Sequence, residues 1–120
     1  MPSEQPARRL ADIIDNVRAI QGYTAQMNLA SFEADRKTRD AVERCLQRIS
    51  EAATKLGPLA GALMPDQPWN DVRSLGNRLR HEYDVIRADR LWDIVRLDLA
   101  TLETACVAAL QKISNDETDS

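Results

Sequence analysis

The chain has 120 residues, 43% of them hydrophobic and 29% charged, with 16 Lys and Arg against 19 Asp and Glu. That length fits a single domain with a modest core, and the apolar fraction excludes a disordered or collagen-like chain over most of it. With 4% aromatic residues, four glycines and a net charge of −3, a stack of short strands and indiscriminate nucleic-acid binding are both disfavoured, though a local basic site is not.

The first residues, Met1-Pro2-Ser3-Glu4-Gln5-Pro6, lack the apolar stretch of a secretory signal. Leu10, Ile13, Ile14, Val17 and Ile20 then recur at i, i+3, i+4 and i+7, which predicts an amphipathic helix stopping at Gly22. Ser31, with Glu33 and Asp35 after it, predicts the start of a short helical turn. From Thr38 to Leu56 a second long helix carries Val42, Cys45, Leu46, Ile49, Ala52, Ala53 and Leu56 as its apolar stripe, and Gly57-Pro58 ends it. Leu59 to Pro68 reads as a connector with a turn of helix. Trp69 opens a third helix with Val72, Leu75 and Leu79 on its core side, and Glu82 to Ala88 interrupts the pattern. Asp89 is the expected N-cap of a long fourth helix containing Leu91, Ile94, Val95, Leu99, Leu102, Cys106, Ala109, Leu110 and Ile113.

The expected fold is therefore all-α, an antiparallel bundle of four main helices plus a short helical segment. It forms one domain over residues 1–114, followed by a disordered acidic tail at 115–120. Cys45 and Cys106 fall inside helical apolar patterns and read as reduced core residues of a cytoplasmic protein. No run approaches the roughly 18 apolar residues of a membrane span, so no membrane partner is expected.

One histidine and two distant cysteines give no zinc spacing. There is no phosphate-cradling glycine loop and no Gly-x-Ser-x-Gly elbow, so neither a metal nor a cofactor is implied. Asp12, Asp15, Glu43, Asp93 and Asp98 fall on polar helix faces and read as solvated. The dense candidate is Trp69 to Asp84. With Val72 set at zero on a helical wheel, Leu75 and Leu79 lie within about 60° of it. Ser74, Asn77, Arg78 and His81 cluster on the other side. A neutral imidazole can take a proton from a ribose 2′-hydroxyl or return one to a leaving oxygen, and its unperturbed pKa near about 6.5 suits that task. An arginine fork can hold the charge developing on a phosphodiester. Five arginines between Arg73 and Arg90 outnumber Glu82, Asp84 and Asp89 there.

Pro68-Trp69, Gly76-Asn77-Arg78-Leu79-Arg80-His81-Glu82-Tyr83-Asp84 and Leu91-Trp92-Asp93-Ile94 together resemble the HepT-like toxins of the HEPN superfamily. Thr38-Arg39-Asp40-Ala41-Val42-Glu43-Arg44 and Ile49-Ser50-Glu51-Ala52 resemble the second-helix region of the same family, so the likeness spans about positions 10 to 110. The resemblance implies a HEPN-like helical bundle that works as a homodimer and a metal-independent ribonuclease. It also implies a minimal nucleotidyltransferase antitoxin as partner, the two forming a type VII toxin–antitoxin system.

By that resemblance His81 matches the catalytic histidine. Tyr83 matches a tyrosine that binds substrate and accepts AMP from the antitoxin, and Asn77 and Arg80 fall among the substrate-binding positions. The family arginine stands directly before the asparagine, and here that position is Gly76. Arg73 and Arg78 are the candidates to replace it as phosphate clamp. The competing expectation is a degenerate nucleotide- or partner-binding subunit, for which Gly76 is the evidence.

Overall fold

Nearly every element begins or ends where the backbone's unpaired hydrogen-bonding groups find a side-chain partner or a proline. The computed structural model describes residues 5–81 and 86–119 and contains only helices and connections among them. Helix α1, Pro6–Thr24, starts on a proline whose missing N–H is unpaired in a first turn anyway. It buries Leu10, Ile13, Ile14, Val17 and Ile20 as the pattern predicts. It does not stop at Gly22. That glycine keeps a negative φ, and Thr24 is buried with its hydroxyl donating to the Ile20 carbonyl at 2.8 Å.

The short helix α2, Leu29–Ala34, begins before the expected Ser31 because Asn28 is its cap. Asn28 Oδ1 accepts from the Ser31 N–H at 2.9 Å, and Ser31 Oγ accepts from the Asn28 N–H at 3.0 Å. Helix α3, Arg36–Leu56, likewise starts slightly before Thr38. The Asp35 carboxylate accepts from the Thr38 N–H and hydroxyl at 3.0 and 2.9 Å. These bonds hold its carboxyl below the ordinary range. Gly57 ends α3 with φ +59°, a conformation that excludes most side chains. Helix α4, Pro58–Leu63, fills the expected connector, and α5, Trp69–Arg80, follows. The Trp69 indole N–H donates to the Met64 carbonyl at 2.9 Å, tying the two together.

Helix α6, Ala88–Asp93, is continuous through a π-helical turn, Ile94–Asp98, with α7, Leu99–Asp119. Its N-cap is Arg87, not Asp89, which sits in the first turn and accepts from the Arg90 N–H and the Arg87 guanidinium. The wide turn keeps Leu91, Val95 and Leu99, at successive four-residue steps, all buried, while Leu97 is turned outward. Helix α7 continues through the acidic segment as far as Asp119, where the sequence pattern predicts a disordered tail.

Helix α3 is the centre of the molecule, packed against α1 on one side and α5 on the other, with α7 against α1. Arg9 and Lys55 line one cleft, while Tyr23, at the other end of α1, reaches Cys45. Helices α1 and α3 therefore run antiparallel. Phe32 is fully buried with its ring 5.1 Å from that of Trp92, joining α2 to α6. Of the carboxylates expected on solvated faces, Asp12 and Glu43 are half-buried while Asp15, Asp93 and Asp98 are exposed, and burial raises the pKa of Glu43.

Both cysteines are buried and free. Burial pushes the Cys106 thiol up to about 12 from an ordinary 9.0, and also raises Cys45. The folded state therefore favours the protonated thiol. This contribution is complete below pH 9.0 and is lost as pH rises through the folded value near 12. Urea melts across that range should show falling stability, with a shallower fall in Cys106→Ala.

Candidate functional site

Helix α5 carries the candidate residues, and its seam with α3 decides where each one points. The most buried positions of α5 are Trp69 and Gly76, whereas Val72, Leu75 and Leu79 are half-buried. The apolar wheel thus locates the inward side only approximately. Gly76 faces Ser50 of α3, itself 1% exposed. A Cβ at position 76 would stand 2.5 Å from Ser50 Cβ and still closer to its hydroxyl, so this glycine is a requirement of close helix approach. The Ser50 hydroxyl donates to the Arg73 carbonyl at 3.1 Å.

Two further bonds flank this contact. Arg73 Nη2 donates to the carbonyls of Gly57 at 2.9 Å and Ala53 at 3.4 Å, at the C-terminal end of α3. Each of those carbonyls also accepts a backbone N–H, Ala53 from Gly57 at 3.3 Å and Gly57 from Ala60 at 3.2 Å, so Arg73 uses their second lone pairs at the negative end of the helix dipole, where a guanidinium is favoured. Toward the other end of the seam, Gln47 Nε2 donates to the Leu79 carbonyl at 3.4 Å, and Arg44 Nη1 donates to Gln47 Oε1 at 3.1 Å. These contacts pair 47 with 79, 50 with 76 and 57 with 73, so α3 and α5 are antiparallel.

The end of α5 is consequently held in place beside α3. His81 is its C-cap, exposed, with extended backbone at φ −94° and ψ 111°. Asn77, Arg78 and Arg80 are also exposed on the last turns. Arg80 turns back one turn, its Nε donating to the Gly76 carbonyl at 3.2 Å and its Nη2 to Asn77 Oδ1 at 3.3 Å. The structure thus gathers Asn77, Arg78, Arg80 and His81 at one end of α5, with Arg73 directed to the end of α3. Tyr83 lies outside the described residues.

Glu51, one turn along α3, is held below the ordinary carboxylate range by the hydrogen bond and charge of Lys55, with smaller contributions from Arg44 and Arg80. Arg44, Gln47 and Ser50 belong to this neighbourhood and were not among the sequence candidates. Their spacing of three residues on one face of α3 was the available signal. Among the described residues, no group of three or more His, Cys, Asp or Glu side chains is placed to hold a metal ion. Among the same residues, no helix is long and apolar enough to cross a membrane.

Among the described residues the chain is a small all-α protein that presents an exposed histidine and arginines at one helix end. Residues 13–109 match the family described as Ribonuclease HepT-like, and the chain belongs to that family. A candidate RNase of Methanocaldococcus jannaschii is 35% identical over 95 residues, covering 79% of this chain and 78% of that one. A protein named "Probable ribonuclease HepT" from Thermococcus cleftensis is 30% identical over 94 residues, 78% of this chain and 86% of its own. No solved structure matches the chain significantly.

Two stability measurements check the seam. Arg73→Ala should lower unfolding free energy by about 1.5–3 kcal/mol, since its donors serve carbonyls at a partly buried helix end, while Arg78→Ala should change it by under about 0.5 kcal/mol. Gly76→Ala gains about 1 kcal/mol of helix propensity but forces the helices apart, for a net loss of about 1–2 kcal/mol. Combined with Ser50→Gly, the loss should be clearly smaller than the sum of the two single changes.

Proposed function

We propose that the chain is the toxin of a toxin–antitoxin pair, an endoribonuclease that cleaves RNA with side chains alone. The observation that carries this reading is the exposed imidazole of His81 at the end of a helix whose last turn presents Arg78 and Arg80. Membership of the HepT-like ribonuclease family supports it, as do the two relatives described as ribonucleases.

The chemistry follows from what these groups can do. Neutral His81 removes the proton from a ribose 2′-hydroxyl, and the oxygen attacks the adjacent phosphorus. The bond from phosphorus to the 5′-oxygen breaks, a proton is returned to that oxygen, and a 2′,3′-cyclic phosphate is left. Charge accumulates on the non-bridging oxygens in the transition state, and an adjacent guanidinium stabilises it there more than in the ground state. One histidine cannot serve as base and acid in the same instant. A homodimer that brings two α5 ends together supplies both. Asn77 and Arg80 contact the RNA beside the cut, and Arg78 adds phosphate attraction. Arg73 acts at one remove, by fixing α5 against α3.

Tyr83 is the residue we assign to substrate contact and to acceptance of AMP from a minimal nucleotidyltransferase antitoxin. A phosphodiester-linked nucleotide beside His81 adds negative charge and bulk where RNA phosphate must sit, which accounts for neutralisation. The second reading, a non-catalytic partner- or nucleotide-binding subunit, is favoured by the contact between Gly76 and Ser50, which leaves position 76 no room for a side chain.

Expression of wild type should arrest growth and degrade RNA, while His81→Ala loses about 10²–10⁴-fold in cleavage rate with its fold intact. If wild type and His81→Ala are equally harmless and leave RNA whole, the nuclease reading fails and the binding-subunit reading stands. Mass spectrometry after co-expression with the neighbouring nucleotidyltransferase should find AMP on Tyr83. Unmodified Tyr83 removes the modification claim alone.

A further inference from the structure

Helix α5 offers three arginines to a phosphate at its C-terminal end, and the structure treats each differently. Arg73 donates to the Gly57 and Ala53 carbonyls and is directed away from His81 along the seam. Arg78 is exposed, half a helical turn round from Gly76, on the side away from α3. Arg80 follows Gly76 by four residues and so shares its face. Its guanidinium folds back until Nη2 is 3.6 Å from where a Cβ at position 76 would be. Two bonds hold it there, from Nε to the Gly76 carbonyl and from Nη2 to Asn77 Oδ1. They use only part of the arginine fork.

We propose that Arg80 is the catalytic cation of this nuclease, its guanidinium laid over Gly76 and held by the Gly76 carbonyl and Asn77 to receive the scissile phosphate beside His81. The inference rests on the ribonuclease reading and assigns within it a role that Arg73 and Arg78 do not fill. The physical case is preorganisation. An arginine on a bare helix surface loses rotamer freedom each time it grips a phosphate, whereas one already held by two acceptors loses little.

The test uses the full-length protein and a short mixed-sequence single-stranded RNA carrying a fluorophore. Under single-turnover conditions with saturating enzyme, Arg80→Ala should cleave about 10²–10³-fold more slowly than wild type. Its affinity for the same sequence with 2′-O-methyl groups, which cannot be cut, should fall by less than about tenfold, the scale of a single phosphate contact. Arg80→Lys should fall between wild type and alanine, because a point charge replaces the fork. Added ethylguanidinium should restore part of the Arg80→Ala rate without affecting His81→Ala, a response that a merely structural role for Arg80 would not give.

The proposal is overturned if Arg80→Ala cleaves within twofold of wild type while His81→Ala is inactive, an outcome that leaves the nuclease reading standing. It is also overturned if rate and affinity fall together with no rescue, which makes Arg80 a plain attraction site. An inert wild type removes the nuclease reading and this assignment with it. Far-UV circular dichroism melts of each variant distinguish loss of chemistry from loss of fold.

Discussion

The close approach of α3 and α5 at Ser50 and Gly76 is the constraint on which the candidate site depends. Two helices can come this near only where one of them lacks a Cβ, and the contact fixes the register of the whole seam. Once Gly76 is set against Ser50, Arg73 falls beside the end of α3 and Leu79 beside Gln47. The end of α5 inherits that placement. An exposed histidine at a frayed helix end would sample many positions. At the end of a helix pinned at three levels, His81 starts from a defined one, and catalysis by positioning needs that.

The same seam sorts the arginines by burial. Arg73 is half-buried and bonded to two carbonyls at a helix terminus, so removing it takes away two hydrogen bonds and the cation that faces the negative end of the dipole. Arg87 pairs with Asp89 at 2.9 Å, but its side chain is 79% exposed, and such pairs contribute only about 0–1 kcal/mol. An ion pair that weak yields readily to a phosphate. A chain with net charge −3 can therefore engage RNA without a basic surface overall. Most of its described acidic residues lie along helices, and the arginines near the end of α5 act at a range shorter than the screening length of about 8–10 Å.

The sequence made the long helices legible because a period of 3.6 survives in one dimension. Leu10 to Ile20 in α1, Val42 to Leu56 in α3 and Leu99 to Ala109 in α7 bury the side they advertise. The ends were less legible. Asn28, Asp35 and Arg87 cap helices that the apolar pattern starts later, because a cap precedes the first periodic residue and carries no apolar signal. The π turn at Ile94–Asp98 was also hidden, since a four-residue step between apolar positions fits an ordinary helix as well as a widened one. In α5 the pattern named Val72, Leu75 and Leu79, yet the deepest positions are Trp69 and Gly76. Glycine adds nothing to a hydrophobic wheel, and its burial depends on a serine 26 positions earlier. Arg73 and Arg78 look equivalent along the chain. What separates them is which groups lie within reach of a long side chain, and only the fold supplies that.

The exchange of an arginine from one position of a helix to another is less disruptive than it looks. Residues four apart lie on the same face, so a guanidinium carried on position 80 and folded back reaches the space above position 76. The N–H groups that meet a phosphate come from the end of a side chain with four rotatable bonds, and the position of its Cα is a weak constraint on where that end sits. Anchoring is the stronger constraint. Here the Gly76 carbonyl and Asn77 amide provide it, at 3.2 and 3.3 Å. Gly76 thus serves two contacts. Its missing Cβ admits Ser50 of α3, and its carbonyl accepts from Arg80 Nε. A side chain at 76 would displace Ser50, and the shift of α5 that follows would carry Arg80 with it, which couples the stability of the seam to the placement of that guanidinium.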